Sequence, residues 1–304
     1  LLNWIQEKKT IVHYPEIFLH KRQLVSLSNG LILHNLSADR VSIIIPTRNN
    51  AIMVKQCIDS ILQHTTYINY EIVLVDNHST EESLEKLIEH YRNKLQSAFI
   101  HVKADFSFNF SKLINLGAAH ATGNYYILLN NDTSVITADW IERMLAKFSI
   151  PKTGAVGAKL LYPDNSIQHA GIVLQENTIS RHINLGEKPD NELVSYNRNY
   201  LALTAACMMV SREAFNHVKG FDQSLAVNYN DIDFCIRLYK DSYHNVYAAD
   251  VCLYHFESAS RQHPFANWRS GKNFRIESAI MREKWFSLIA DDPYYSKYQS
   301  MFTS

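Results

Sequence analysis

Four times in its first half, this chain runs through a short apolar segment, stops at a polar cluster, and continues with apolar residues at helical spacing. That alternation constrains the fold more than any other feature. The first run, Val41-Ser42-Ile43-Ile44-Ile45, is β-branched and ends at Pro46, which predicts a buried strand. Val54, Cys57, Ile58, Ile61 and Leu62 follow with the spacing of an amphipathic helix. Further strands are predicted at Glu71–Val75, Phe99–Val102 and Tyr125–Leu129. Helical patterns follow them at Leu84–Tyr91, Phe110–Ala118 and Ile141–Phe148. Four β-then-α units in succession predict a mostly parallel, Rossmann-like sheet with helices on both faces. Ligands of such sheets bind beyond the carboxyl ends of the strands. The segments to examine are therefore Pro46-Thr47-Arg48-Asn49, Asp76-Asn77-His78-Ser79, Lys103-Ala104-Asp105 and Asn130-Asn131-Asp132. Four polar strand ends on one edge point to a polar ligand.

The pattern changes after residue 150. Short strands are expected at Ala155–Lys159, Ile172–Leu174, Ala205–Val210 and Val246–Ala248, with a helix following Asp231. Residues 175–200 hold few apolar side chains and read as a mobile loop near the site. The tail reads as helical around Arg275–Leu288. Residues 1–40 show no clean period and read as a lead-in or linker. The first residue is not Met, so the chain is expected to be a segment of a longer, multidomain protein.

Of the 304 residues 46% are hydrophobic, enough for one large α/β domain. Lys plus Arg and Asp plus Glu are each 30, which removes any bulk electrostatic reason to bind nucleic acid. An anionic ligand must be held by a local site or a metal. Cys57, Cys207, Cys235 and Cys252 lie in apolar stretches with no CxxC spacing and read as reduced core thiols of a reducing compartment. No run is long enough to span a membrane, and the start lacks a signal-peptide layout.

Three constellations carry chemistry. Asn130-Asn131-Asp132 after a strand offers oxygen ligands for Mg²⁺ or Mn²⁺, or else an Asx turn capping a helix near Ala138. Asp231 is either a general base or a helix-terminal carboxylate, with Asn230 as N-cap. His255 is either a metal ligand or an ordinary buried histidine. Asp76 could accept hydrogen bonds from ribose or base, or serve as a turn carboxylate. Gly154-Ala155-Val156-Gly157 lacks a following helix and reads as a strand entry. Arg282, Lys284, Trp285 and Phe286 could touch lipid or pack as an ordinary helix.

Together these residues resemble a family 2 glycosyltransferase, of the large inverting group with the glycosyltransferase A fold, from about Val41 to Tyr295. The resemblance is carried by Val41–Asn49, Val75–Ser79, Phe108–Ser111, Asn115–Ala118, Leu128–Asp132, Gly154–Leu160, Gln168–Gly171, Thr204–Met208, Asn230–Asp233 and the His255 segment. Asp292-Pro293-Tyr294-Tyr295 is similar to the close of such domains in bacterial surface-polysaccharide enzymes.

The resemblance implies a catalytic domain over 41–262, with a nucleotide-binding half at 41–135 and an acceptor half at 136–262, then a helical extension at 263–304. It implies that Asp132 holds the metal, with His255 completing its shell. Asn130 stands where many members carry a first Asp, and Asn230 replaces a frequent Glu. It implies Asp231 as catalytic base. Donor contacts are expected at Pro46, Thr47, Arg48, Asn49, Asp76, Asn77, Asp105, Ser111, Asn115, Asn130 and Asn131. The expected partners are a dTDP- or UDP-sugar donor and a glycan or lipid-linked glycan acceptor, with Mn²⁺ or Mg²⁺ and no nucleic acid. The expected location is the cytoplasm or the inner face of the plasma membrane. A non-catalytic nucleotide-sugar-binding module of a larger polysaccharide-synthesis protein is the alternative.

Overall fold

The computed structural model describes residues 39–256 and 271–295. The expected lead-in over 1–38, the boundary at 262 and the segment just after Phe256 lie outside the described residues. In chain order the elements are β1 (Val41–Thr47), α1 (Ala51–His64), β2 (Tyr70–Asp76), α2 (Glu82–Leu95), β3 (Phe99–Lys103), α3 (Phe110–His120), β4 (Tyr125–Leu129), β5 (Thr133–Val135) and α4 (Trp140–Lys147). Next come β6 (Thr153–Leu161), β7 (Ile167–His169), β8 (Ile172–Gln175), β9 (Ile179–His182), β10 (Arg198–Asn199), β11 (Cys207–Ser211), α5 (Arg212–His217), α6 (Asn230–Lys240), β12 (His244–His255) and α7 (Lys272–Ala290).

The main sheet runs β10-β12-β6-β11-β4-β1-β2-β3, with β5 on β12 and β7 on β6. β1, β2, β3 and β4 pair in parallel, as do β6 and β12, while β11 runs antiparallel between β4 and β6. Alternate side chains of each strand enter opposite cores, as strand geometry requires. Ile43 and Ile45 face α1, α2 and α4 through Val54, Ile58, Leu84 and Trp140. Ile44 faces the other layer, with Leu113, Ile114, Phe215 and Phe234. Both faces are covered, so β1 is buried along nearly its whole length and the strands read as continuous apolar runs.

Two local devices fix the start of the sheet. Glu71, fully buried on β2, accepts from Ser42 Oγ (2.6 Å), the Thr122 amide (2.6 Å) and hydroxyl (2.7 Å), and Arg40 Nη2 (2.9 Å). Burial pushes its pKa up, but those hydrogen bonds outweigh burial and hold it below the usual carboxylate range. On α3, Gly117 lets the helix lie directly on β1 and β2. A Cβ there would stand 2.4 Å from Ile44 Cγ2 and 2.9 Å from Val75 Cγ2.

Several expectations change. Residues 175–200 are not a featureless loop: β8 and β9 form a hairpin, and β10 pairs with β12. The strand Ile179-Ser180-Arg181-His182 carries one buried apolar residue, too little pattern to read from sequence. A further strand, β5, separates Asp132 from α4, which starts at Trp140, so Asp132 caps no helix. The strand expected at 246–248 lies in the first half of a 12-residue strand, His244–His255.

Gly117→Ala should destabilise the fold by roughly 1–3 kcal/mol, the usual cost of overpacking a filled core. Gly→Ala in an open helix stabilises by about 1 kcal/mol instead. Urea denaturation decides between the two signs.

Candidate active site

The carboxyl ends of β1 to β4 are tied to one another by side chains. Thr47 Oγ1 accepts from Asn131 Nδ2 (2.9 Å), joining the ends of β1 and β4. The Thr47 carbonyl accepts from the Asn77 amide (2.8 Å), joining β1 and β2. Asn77 Nδ2 donates to the Phe106 carbonyl (2.8 Å), reaching beyond β3, while its buried Oδ1 has no partner. Asn49 and Asn50 are both left-handed, at φ 56° and 59°, a conformation that Asn tolerates better than most residues. Asn49 accepts from the Thr80 amide (2.8 Å), and its own amide donates to Ser79 Oγ (2.7 Å). Asp76 accepts from the Ser79 amide (3.0 Å) and lies 3.5 Å from His101 Nε2. Burial works to raise its pKa, but the hydrogen bonds from His101 and Ser79 win and leave it lowered. Arg48 is exposed at this edge, Pro46 is half-buried, and Asp105 pairs with His78 nearby.

Asp132 and His255 meet although 123 positions part them. β12 pairs antiparallel with β5, setting His255 opposite Thr133, and the Phe256 amide donates to the Asp132 carbonyl (2.8 Å). His255 Nε2 then lies 3.2 Å from Asp132 Oδ1 and 3.3 Å from Asn130 Nδ2. Both side chains are largely buried. Asp132 Oδ1 and His255 Nδ1 have no hydrogen-bond partner. In the tautomer whose Nε2 accepts from Asn130, that nitrogen has no proton to offer the carboxylate oxygen beside it, and a cation close to both would relieve the contact. Two adjacent ligands each about 2.1 Å from Mg²⁺ or a similar ion stand about 3 Å apart, so the pair fits a hard divalent cation. Turning the Asn130 amide over would present Oδ1 at the same place. Among the described residues no three His, Cys, Asp or Glu side chains form a metal cluster. One or two protein ligands plus substrate phosphates is the usual arrangement for Mg²⁺.

Asp231 joins this site through a short bridge. The Ala205 amide donates to Asp231 Oδ2 (3.1 Å), and the next carbonyl, Ala206, accepts from the Asn130 amide (3.0 Å). Asp231 Oδ1 accepts from the Ile232 amide (2.9 Å). The side chain keeps some surface, yet so much protein surrounds the carboxylate that burial raises its pKa against the hydrogen bonds from Ala205, Ile232 and Thr204. Asn230 is not the N-cap. That place falls to Tyr229, left-handed at φ 60°, and Asn230 Oδ1 accepts from the Asp231 amide instead (2.8 Å).

Other expected contacts resolve differently. Ser111 Oγ donates to the Leu225 carbonyl (2.6 Å). Asn115 donates to the Phe221 carbonyl (2.9 Å) and accepts from its amide (2.8 Å). Both expected donor contacts thus hold the 221–225 loop against α3. Asp233, fully buried, accepts from Lys284 Nζ (2.5 Å), Arg237 Nε (2.8 Å) and Trp285 Nε1 (2.9 Å). Lys284 and Trp285 therefore dock α7 on α6, leaving Arg282 and Phe286 exposed. Sequence reading missed three contributors. Cys57 Sγ lies 3.6 Å from the Asn130 carbonyl, and burial pushes its thiol up to about 12. His169 Nδ1 lies 3.1 Å from His182 Nδ1, with the ring pushed well below its ordinary pKa by burial and then by His182 and His255. Glu277 on α7 is the third. None carries a local signal, because their partners are remote in sequence.

Strand-end polar residues converge on a carboxylate–histidine pair, on a sheet of the glycosyltransferase A fold. Residues 42–219 match the model of glycosyl transferase family 2, and the chain belongs to that family. It is 37% identical over 265 residues to an uncharacterized protein, y4gI, of Sinorhizobium fredii, covering 84% of this chain and 28% of that one. It is 30% identical over 275 residues to the O-antigen biosynthesis protein RfbC of Myxococcus xanthus, covering 86% and 20%. The chain thus spans only about a quarter of these relatives' length. Of solved structures, GalNAc-T7 with UDP, GalNAc and Mn²⁺ superposes with a TM-score of 0.67 at 14% identity, over 86% of this chain and 54% of that one. The mannosyltransferase PcManGT of Pyrobaculum calidifontis, with GDP-Man and Mn²⁺, gives 0.55 at 18%, over 71% and 56%. These two likenesses show the fold. Asp231 and His255 lie beyond the family-matched segment, so the family match does not bear on their expected roles.

Asp233→Ala should lower stability by about 3–5 kcal/mol, because it strands Lys284 and Arg237 beside an emptied buried site. Urea denaturation checks this.

Proposed function

We propose that this domain moves a sugar from a dTDP- or UDP-sugar to a hydroxyl of a glycan or lipid-linked glycan, with inversion, in bacterial surface-polysaccharide assembly. One observation carries the reading: a carboxylate with a raised pKa and an Asp–His pair with unpartnered atoms hang on the same Ala205–Ala206 backbone. The O-antigen protein supports the polysaccharide setting. The solved neighbours' UDP, GDP-Man and Mn²⁺ support a nucleotide-sugar donor and a divalent ion.

Residues 41–135 are assigned to the donor. The ends of β1 and β2, from Pro46 to Asn49 with Asp76 and Asn77, take the nucleoside, and Asn130 and Asn131 take the region next to the diphosphate. Residues 136–262 are assigned to the acceptor. Asp132 and His255, with Asn130 beside them, would hold Mn²⁺ or Mg²⁺, which when bound offsets the negative charge growing on the departing diphosphate. Asp231 takes the proton of the acceptor hydroxyl. The oxygen forms a bond to the anomeric carbon as the bond to the diphosphate breaks, and the electron pair leaves with the diphosphate. One displacement by one base inverts the anomeric centre. Both Asp231 oxygens already accept one N–H each, which fixes the carboxylate and leaves a lone pair for the proton.

Burial of Asp231 suits a base, since a carboxylate with a raised pKa binds a proton more firmly near neutrality. The acceptor site sits in a chain whose three most buried cysteines are free thiols, in keeping with a cytoplasmic location. Among the described residues no helix is long and apolar enough to cross a membrane. Among the described residues, the exposed Arg282 and Phe286 are the ones offered to a membrane surface.

Asp231→Asn should cut turnover by about 100-fold or more while donor binding stays within twofold. Release of UDP or dTDP from a donor panel with Mn²⁺ measures it, and an Asn variant with full activity would rule the base out. In the wild type, activity should fall with decreasing pH at values above the ordinary Asp range. The base works only as the anion, and its folded pKa is raised. A pH profile of kcat/KM shows the position of that acid limb. Asp132→Asn and His255→Ala should each weaken Mn²⁺ binding about tenfold or more. Titration of Mn²⁺ by electron paramagnetic resonance in the presence of UDP reads this without turnover.

A further inference from the structure

Helix α7 lies wholly outside the segment that matches the family model, yet one of its carboxylates is wired to the backbone leading into Asp231. Glu277 is 2% exposed. Its Oε1 accepts from the Ala226 amide (2.8 Å) and the Val227 amide (3.1 Å). Its Oε2 accepts from the Asn228 amide (2.8 Å) and from Asn228 Nδ2 (2.6 Å). Three successive amides and a side-chain amide thus converge on one carboxylate, a nest whose donors favour a negative charge. The same stretch is gripped from the other side by α3. The Phe110 amide donates to the Ala226 carbonyl (2.7 Å), and Ser111 donates to the Leu225 carbonyl (2.6 Å). The segment's carbonyls go to α3 and its amides to Glu277.

This clamp ends at Asn228, two residues before α6 begins. Tyr229, left-handed at φ 60°, makes the turn into the helix. Its ring lies 5.8 Å from that of Phe274, and its hydroxyl accepts from Ser278 Oγ (3.4 Å). Phe274, Glu277 and Ser278 share one face of α7 by their i, i+3, i+4 spacing. Further along the helix, Lys284 pairs with Asp222 (2.8 Å) at the other end of the loop. Asp231 is the second residue of α6, and its carboxylate must meet Ala205 on a different element. Where α6 starts therefore decides where the carboxylate points.

We propose that Glu277 is a positioning residue for Asp231: by holding the 226–228 backbone it sets the start of α6 and so the aim of the base. The inference rests on the proposed function, and it adds that the extension after the catalytic segment is part of the transfer machinery. Gln at 277 keeps the shape but turns an –NH₂ toward amides that also donate. Asp at 277 keeps both acceptors on a shorter arm.

The test uses the full chain with UDP-glucose, UDP-N-acetylglucosamine and dTDP-rhamnose plus Mn²⁺, reading nucleotide release on the donor that the wild type turns over fastest. Glu277→Gln should lower kcat about tenfold or more, since a shift of about 1 Å at a reacting group costs on the order of 100-fold. Donor KM should stay within twofold, because the strand ends and the Asp132–His255 pair are untouched. Glu277→Asp should retain more activity than Glu277→Gln, and Glu283→Gln, exposed on the same helix, should match the wild type. Full kcat in Glu277→Gln overturns the proposal, and so does a loss confined to KM. If that variant fails to fold, Asn228→Ala, which removes one of the four donors, should still lower kcat with KM unchanged, and full kcat there overturns the proposal too. If the wild type releases no nucleotide while Mn²⁺ and UDP bind, the proposed reaction fails by itself. Hydrogen exchange then decides on the clamp: faster exchange across 226–233 in Glu277→Gln than in the wild type supports it, and equal exchange overturns it.

Discussion

The site depends on the pairing of β5 with β12. β12 starts in parallel register with β6, shifts register between Ala248 and Cys252, and then pairs its last residues antiparallel to β5. That second partner carries His255 to Asp132. Without it, the end of β4 would hold a carboxylate with only Asn130 and Asn131 beside it. His255 ends a strand and Asp132 sits in the turn just before β5, where its carbonyl accepts from the Phe256 amide, so their 3.2 Å approach is held by backbone hydrogen bonds.

Five acids, Glu71, Asp132, Asp231, Asp233 and Glu277, divide into two groups. Glu71, Asp233 and Glu277 are each surrounded by donors: Glu71 ties β1 and β2 to the turn before β4, Asp233 docks α7 on α6, and Glu277 gathers the loop before α6. Asp132 keeps an oxygen without a donor, and Asp231 is surrounded by protein with its pKa raised. A buried carboxylate without full compensation is costly, which is what makes Asp132 and Asp231, next to one backbone bridge, the candidates for chemistry. Ser111 and Asn115 anchor the 221–225 loop through Leu225 and Phe221.

Two neighbouring aspartates show where sequence reading reaches its limit. Asp231 and Asp233 are two positions apart at one helix start, and both suit the helix dipole. Only the tertiary partners separate them: Asp233 faces Lys284, Arg237 and Trp285, while Asp231 turns to Ala205. Strand β8 was legible from Ile172-Val173-Leu174, whereas β9 and β5 escaped because they are four and three residues long with little alternation. Glu277 escaped because a Glu on a helix of mixed polarity looks like any solvated one.

The sequence by itself determined the alternation of buried strands and amphipathic helices, hence a mostly parallel sheet and the edge on which polar strand ends gather. Those are properties of local period and of abrupt apolar-to-polar boundaries, each readable within about a dozen residues. Tertiary structure alone decided that β12 returns His255 to Asp132, that Ala205 and Ala206 bridge Asp231 to the end of β4, and that α7 grips the loop before α6. Those outcomes are set by contacts between residues tens to more than a hundred positions apart, for which one sequence holds no local signal.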